Sequence, residues 1–305
     1  MLRILVTDGM DKRGIDELRN SGFEVIEKFY PPEELMEMVK DIDVIVVRSA
    51  TKITREIIHS ASMTKRLKLI IRAGVGIDNI DAKYANECNI DVRNTPLASS
   101  ISVAELTIGQ MFSLARFTYI SNVTMRQGKW NKKEYEGTEL FGKTLGLIGF
   151  GRISLEVAKR ALALGMKVIY TNRSGENTSY PEYKYLSFEQ ILSESDFISI
   201  HTPAMKDNQP LIGEAEIKKM KNGVFLINLA RGGIVNEEAL LNALDSGKVA
   251  GAALDVFTEE PIKNERLYKH DRIALTPHIG GSTKEAQERI GEEIVSIIKD
   301  YNKGR

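Results

Sequence analysis

Apolar residues fall along this chain in short runs separated by stretches of helical spacing. The runs Arg3–Thr7, Glu24–Ile26, Val44–Val47, Leu69–Ile71 and Ile90–Val92 read as strands with helices between them. A second series starts at Thr144–Ile148. It continues through Lys167–Tyr170, Phe197–Ile200, Val224–Asn228, Val249–Leu254 and Ile273–Leu275. Strands alternating with helices in this way predict parallel α/β units. Between the two series, Ser99 to about Gly128 contains no proline and predicts one helix or two in succession. Val103, Leu106, Met111 and Leu114 mark its buried side. A last helix is expected from about Thr283 to Asp300, and the charged stretch Lys129 to Lys143 reads as a solvated surface segment.

Length and composition narrow the classes. At 305 residues the chain exceeds a usual single core, so two domains are expected. Apolar residues make up 42% and charged residues 28%, ordinary for a soluble globular protein. Lys+Arg and Asp+Glu are equal at 42 each, so no charge excess points to nucleic acid or an anionic membrane. One cysteine, Cys88, excludes an internal disulfide and a Cys-rich metal site. The histidines His59, His201, His270 and His278 lack metal-ligand spacing. No apolar run reaches the ~18 residues of a membrane span, and the N-terminus reads as a strand rather than a signal peptide. A cytoplasmic location is expected.

The chemistry concentrates where strands end, because open parallel sheets bind ligands outside the carboxyl ends of their strands. Thr144–Ile148 runs into Gly149-Phe150-Gly151, then into a helix with Ile153, Val157 and Ala161 on one face, then into a second strand. Glycines at such a turn let the backbone approach a pyrophosphate at a helix N-terminus. Two positions depart from the dinucleotide fingerprint: Ser154 stands where a third glycine is usual, and Asn172 where an acid is usual. Four further strands end in His201-Thr202-Pro203, in Leu229-Ala230-Arg231-Gly232-Gly233, in Asp255 through Glu259-Glu260-Pro261, and in Thr276-Pro277-His278. One such polar residue is ordinary surface decoration. Four beside a glycine turn point to a site.

With GFGRI, NLARGGIVNEEAL, AGAALDVFTEEP, TPHIGGSTKEAQ, RAGVGIDNID and NTPLASSISVAELT, the sequence resembles the D-isomer-specific 2-hydroxyacid dehydrogenases over nearly its whole length. Within them it is most similar to the D-3-phosphoglycerate dehydrogenases, as a short form without the serine-sensing domain that many carry. The resemblance implies two doubly wound parallel-sheet α/β domains, Rossmann-like and flavodoxin-like, with the active site in the cleft between them. The substrate domain would comprise residues 1–97 plus 281–305, and the dinucleotide domain 98–280. The implied reaction is hydride transfer between a nicotinamide dinucleotide and a D-2-hydroxy acid. The expected pair is 3-phosphoglycerate and 3-phosphohydroxypyruvate, in serine biosynthesis. A glyoxylate or hydroxypyruvate reductase is the nearer alternative. A corepressor-like binding module is the remote one, disfavoured because the catalytic positions are retained.

The residue types suit that chemistry. Histidine transfers protons near neutrality, and His278 matches the family's acid/base. Glu260 matches the carboxylate that orients it, and Arg231 the guanidinium that grips the substrate carboxylate. Gly149, Gly151, Arg152 and Ile153 match the pyrophosphate turn. Thr202 and Pro203 match a loop lining the cofactor, and Asp255 a partner of the nicotinamide carboxamide. The backbone of Ala73, Gly74, Val75 and Gly76 matches the loop for the substrate carboxylate. Arg48 and Arg72 match arginines for a phosphate at the substrate's far end, with Lys132 or Lys133 of a second copy adding charge. NAD is the expected cofactor. Asn172, lacking the acid's charge, and Arg173 lead us to expect NADP as well. A homodimer or higher homo-oligomer is expected.

Overall fold

Inner strand runs such as Val44–Val47 are apolar on both faces because helices cover both faces of the sheet. The computed structural model describes residues 1–204 and 209–304. Its strands are β1 (Arg3–Val6), β2 (Glu24–Glu27), β3 (Val44–Val47), β4 (Leu69–Arg72), β5 (Asp91–Asn94) and β6 (Thr144–Ile148). They continue with β7 (Lys167–Thr171), β8 (Lys184–Tyr185), β9 (Phe197–Ile200), β10 (Val224–Asn228), β11 (Val249–Leu254) and β12 (Ile273–Leu275). The helices are α1 (Lys12–Asn20), α2 (Pro32–Met38), α3 (Arg55–Thr64), α4 (Ala82–Glu87), α5 (Ser100–Ala115) and α6 (Thr118–Arg126). After them come α7 (Arg152–Ala163), α8 (Phe188–Glu194), α9 (Glu214–Lys219), α10 (Glu237–Asp245), α11 (Glu265–Tyr268) and α12 (Lys284–Lys303). The chain forms two compact units, Met1–Ser99 with Gly281–Arg305, and Ser100–Gly280.

The first unit holds a five-stranded parallel sheet in the order β2-β1-β3-β4-β5. Alternation along each strand divides its core. Ile4, Val6, Val44, Val46 and Ile71 pack with Ile15 and Leu18 of α1 and with Ile290, Ile294 and Ile298 of α12. Leu5, Ile45, Val47 and Ile70 face the other way, onto Leu35, Ile57, Ile58 and Ala85. α1 and α12 approach closely where Gly14 meets Gly291; a Cβ on Gly14 would lie 3.4 Å from the Gly291 backbone.

The second unit holds a seven-stranded parallel sheet in the order β12-β11-β10-β9-β6-β7-β8. The chain runs outward from β6 to β8, then returns to lay β9 against the other side of β6. The strand order therefore reverses between β6 and β9, the switch point where open α/β sheets bind ligands. The stretch 99–128 forms two helices, not one, because Phe117 takes a left-handed φ of +53° and breaks the hydrogen-bonded ladder. Val103, Met111 and Leu114 are buried, and Leu106 packs partly buried against the same core. The two-residue β8, paired with β7, is an element the hydrophobic pattern did not predict. It carries no apolar run and owes its strand form to the edge it joins. No helix among the described residues is long and apolar enough to cross a membrane, and no group of metal-binding side chains occurs among them.

Candidate active site

The glycine turn sits at the switch point. The backbone of β6 passes into Gly149, which has φ +89° and lies so close to the neighbouring loop that a Cβ there would stand 2.6 Å from the His201 carbonyl oxygen. Only glycine meets both conditions. Gly151 is the N-cap of α7, offers no capping side chain, and opens onto free space where a Cβ would point. Arg152 beside it is exposed, and Ile153 half-buried. Ser154 stands at the position of the third glycine. It is fully buried, and its Oγ donates to the Gly151 carbonyl at 3.0 Å.

Around this turn the surfaces suit a dinucleotide. Thr202 Oγ1 is buried and has no hydrogen-bond partner among the described residues, which leaves it available to a ligand. Pro203 beside it is exposed. His201 precedes them, its Nε2 3.0 Å from Ser199 Oγ, and burial pushes its imidazole down to about 4. At the end of β7, Asn172 Nδ2 donates to Ser174 Oγ at 2.9 Å, and Arg173 is exposed. The uncapped α7 N-terminus, the exposed Arg152 and the unpartnered Thr202 hydroxyl fit a pyrophosphate and its riboses.

The acid/base candidates lie on the loops after β10, β11 and β12, three neighbouring strands of one sheet. His278 Nδ1 is 2.8 Å from Glu260 Oε2, and Glu260 Oε1 accepts the Phe257 N–H at 3.1 Å. The backbone thus fixes one carboxylate oxygen while the other orients the ring. Both side chains are about 40% exposed, at 41% and 39%. Glu259, the adjacent acid, pairs instead with Lys263. Arg231 Nη1 donates to the Ala230 carbonyl at 2.6 Å. Its turn is closed by Asn228, 2% exposed, whose Nδ2 donates to the Arg231 carbonyl at 2.9 Å and whose Oδ1 accepts the Ala230 N–H at 3.1 Å. Asn228 is missing from the sequence-based assignment. A polar residue closing a buried strand just before Ala230-Arg231 was the available signal. Asp255 is 1% exposed, and its carboxylate accepts from the Thr276 hydroxyl and from the Ile279 and Gly280 N–H groups.

The first unit presents its own candidates at the ends of β3 and β4. Arg48 is half-buried. Its N–H donates to Asp8 Oδ2 at 2.7 Å and its carbonyl accepts from Asn79 Nδ2 at 2.7 Å. Its guanidinium pairs with no carboxylate among the described residues. Asp81 caps α4 through the Tyr84 N–H at 3.1 Å. The Arg48 side chain lines a groove of about 450 Å³ with Asp11, Ser282, Thr283, Lys284, Gln287 and Glu288. Arg72 curls over the loop that follows it. Its Nη1 donates to the Ala73 carbonyl at 2.8 Å and would stand 1.5 Å from a Cβ on Gly74. That loop is held by Ala73 N–H to the Val47 carbonyl and by Thr95 N–H to the Gly74 carbonyl, at 2.8 and 3.0 Å. The N–H groups of Val75 and Gly76 donate to no acceptor among the described residues. Two adjacent free donors suit a carboxylate.

A nucleotide-type switch point beside an imidazole–carboxylate pair defines a class of dehydrogenase, and sequence comparison places the chain in it. Residues 108–280 match the model of the D-isomer specific 2-hydroxyacid dehydrogenase NAD binding domain, and the chain belongs to that family. It is 47% identical to a hydroxypyruvate reductase of Thermotoga maritima over 97% of both chains. It is 43% identical to the D-3-phosphoglycerate dehydrogenase of Rattus norvegicus over 99% of its own length, but spans only 57% of that protein. Among solved structures, a glyoxylate reductase from Paecilomyes thermophila superposes with a TM-score of 0.90 at 33% identity, covering 98% of this chain and 94% of the other.

Proposed function

We propose that this D-2-hydroxyacid dehydrogenase interconverts 3-phosphoglycerate and 3-phosphohydroxypyruvate. NAD, when bound, supplies the acceptor and donor of hydride at its nicotinamide. Gly149, Gly151, Arg152, Ile153, Thr202 and Pro203 hold the dinucleotide, with Asn172 and Arg173 at its ribose. Arg231 grips the substrate carboxylate. His278 takes the hydroxyl proton through Nε2 during oxidation and returns it during reduction. Its Nδ1 is committed to Glu260 at 2.8 Å, and that carboxylate stabilises the imidazolium which forms.

The observation that carries the substrate reading is Arg48. Its backbone is fixed on both sides while its guanidinium lacks an acidic partner among the described residues. A phosphate would supply two or three charge-assisted hydrogen bonds. Arg72 adds a second cation and also braces the carboxylate loop. The second reading, a hydroxypyruvate or glyoxylate reductase, is supported by the 47% identity to the Thermotoga maritima enzyme over nearly the full length of both chains. Initial rates at the nicotinamide absorbance band with phosphohydroxypyruvate, hydroxypyruvate and glyoxylate separate the two. Higher kcat/KM for the phosphorylated acid is expected; preference for either smaller acid moves the assignment.

The cofactor reading extends to NADP. An acid at Asn172 would repel a 2′-phosphate, whereas here Asn172 is neutral and Arg173 is exposed beside it. Both cofactors are used in this reading. A homodimer is proposed from the apolar residues that the second unit leaves exposed, among them Phe112, Val123, Met125, Trp130 and Phe141. Sedimentation velocity tests it.

A further inference from the structure

The family resemblance places Asp255 against the cofactor, yet the hydrogen bonds of its carboxylate lead elsewhere. Asp255 follows β11 and is 1% exposed. Oδ1 accepts from Thr276 Oγ1 at 2.6 Å and from the Ile279 N–H at 2.8 Å, and Oδ2 accepts from the Gly280 N–H at 2.8 Å. These donors flank His278 on both sides, two residues before it and one and two after. A carboxylate offers about four lone-pair sites, so three of them are spent on one turn.

That turn needs holding. His278 has φ +53°, a left-handed conformation that residues other than glycine rarely adopt. It persists only where the surroundings over-determine it. The Asp255 carboxylate provides that constraint through three short hydrogen bonds to a charged acceptor, the stronger kind. Gly280 permits the approach, since even a Cβ there would lie 3.1 Å from Asp255 Oδ2. The left-handed turn is also what carries His278 Nδ1 to 2.8 Å from Glu260.

We propose that Asp255 is a positioning residue for the acid/base histidine: its carboxylate locks the 276–280 turn and so aims His278 at Glu260. The proposal rests on the reading of His278 as the acid/base, but its first test does not depend on turnover. Asp255→Asn keeps size while replacing one acceptor oxygen by an NH2 donor that faces N–H and O–H donors. Thr276→Val removes one donor and leaves the carboxylate in place, and it carries the test should the first variant not fold.

The experiment is ¹⁵N-histidine NMR of the free protein, with His278→Asn assigning the signal, together with kcat and the NAD dissociation constant by titration. Positioning predicts that the downfield Nδ1–H resonance of His278 is lost or broadened in Asp255→Asn and weakened in Thr276→Val. It also predicts a kcat about 100-fold lower in Asp255→Asn, as for a displacement near 1 Å, and about tenfold lower in Thr276→Val. NAD affinity should stay within about threefold in both. An unchanged His278 resonance in both variants, with NAD bound more than tenfold more weakly to Asp255→Asn, overturns the proposal and leaves Asp255 a cofactor contact. Loss of the resonance alongside normal turnover in His278→Ala would instead sustain the positioning and remove the acid/base role.

Discussion

Gly232→Ala should separate two loops that the proposed chemistry needs together. Gly232 follows Arg231 and packs flat on the backbone after β11. A Cβ there would stand 1.8 Å from the Phe257 carbonyl oxygen, 2.2 Å from its carbon and 2.9 Å from Thr258 N. Ordinary contact needs more than about 3 Å, so the loops must part by more than about 1 Å. Neither side yields easily. Phe257 N–H is bound to Glu260 Oε1 at 3.1 Å, Thr258 N–H to Glu237 Oε1 at 2.8 Å, and the Arg231 carbonyl to Asn228 Nδ2 at 2.9 Å. The displacement therefore reaches either Glu260 or Arg231. Misplacement of about 1 Å costs roughly 100-fold in rate, about 2.7 kcal/mol at 1.36 kcal/mol per decade. Overpacking should lower stability by about 1–3 kcal/mol. Gly233→Ala is the control: it has φ +76° but nothing within 4 Å, so its cost is backbone strain of about 1–2 kcal/mol without a clash. Initial rates and thermal unfolding of both variants test this. A kcat/KM for Gly232→Ala within threefold of wild type would refute the reasoning; so would an equal loss in Gly233→Ala.

His278→Ala should lower kcat by roughly 10²–10⁴-fold while NAD affinity changes little, and near-normal turnover would remove His278 from the mechanism. The kcat/KM ratio for NAD over NADP should stay below about a thousand; a larger ratio, roughly 4 kcal/mol of discrimination, would sink the reading of Asn172 and Arg173. Arg48→Ala should raise KM for phosphohydroxypyruvate and spare hydroxypyruvate, whereas Arg72→Ala should harm both because Arg72 also bonds the Ala73 carbonyl. Equal losses in Arg48→Ala would move the substrate to an unphosphorylated acid. Burial holds His201 down to about 4, so its contribution to stability is complete above about pH 6.5 and lost as pH falls toward 4, at most about 3 kcal/mol. Urea unfolding at pH 7.5 and 4.5 should show a shallower acid-side loss in His201→Asn, and identical slopes would contradict this.

Inner strands such as Val44–Val47, with all four residues buried, were legible because burial on both faces writes them as an unbroken apolar run. β8 was not, because pairing with β7, not its own composition, makes it a strand. The placement of the glycine turn, Arg231, Glu260 and His278 on loops after strands could be read because each follows an apolar run that ends at a polar or glycine-rich stretch. What holds them could not, since those partners are distant in sequence: 24 and 25 residues separate Asp255 from Ile279 and Gly280. The first unit contains a second case of the same arrangement. Asp8 follows β1, and its carboxylate accepts the Arg48 and Thr51 N–H groups and the Thr51 hydroxyl, at 2.7, 3.1 and 2.7 Å. Asp255 follows β11 and accepts two N–H groups and the Thr276 hydroxyl. In both, an acid ending one strand holds the loop that leaves the adjacent strand, β3 in the first unit and β12 in the second. Each loop carries a side chain that this reading assigns to the substrate, Arg48 or His278. An acid just past a buried strand therefore has two readings, ligand contact or brace for the next loop. A carboxylate whose oxygens are already bonded to that loop favours the brace.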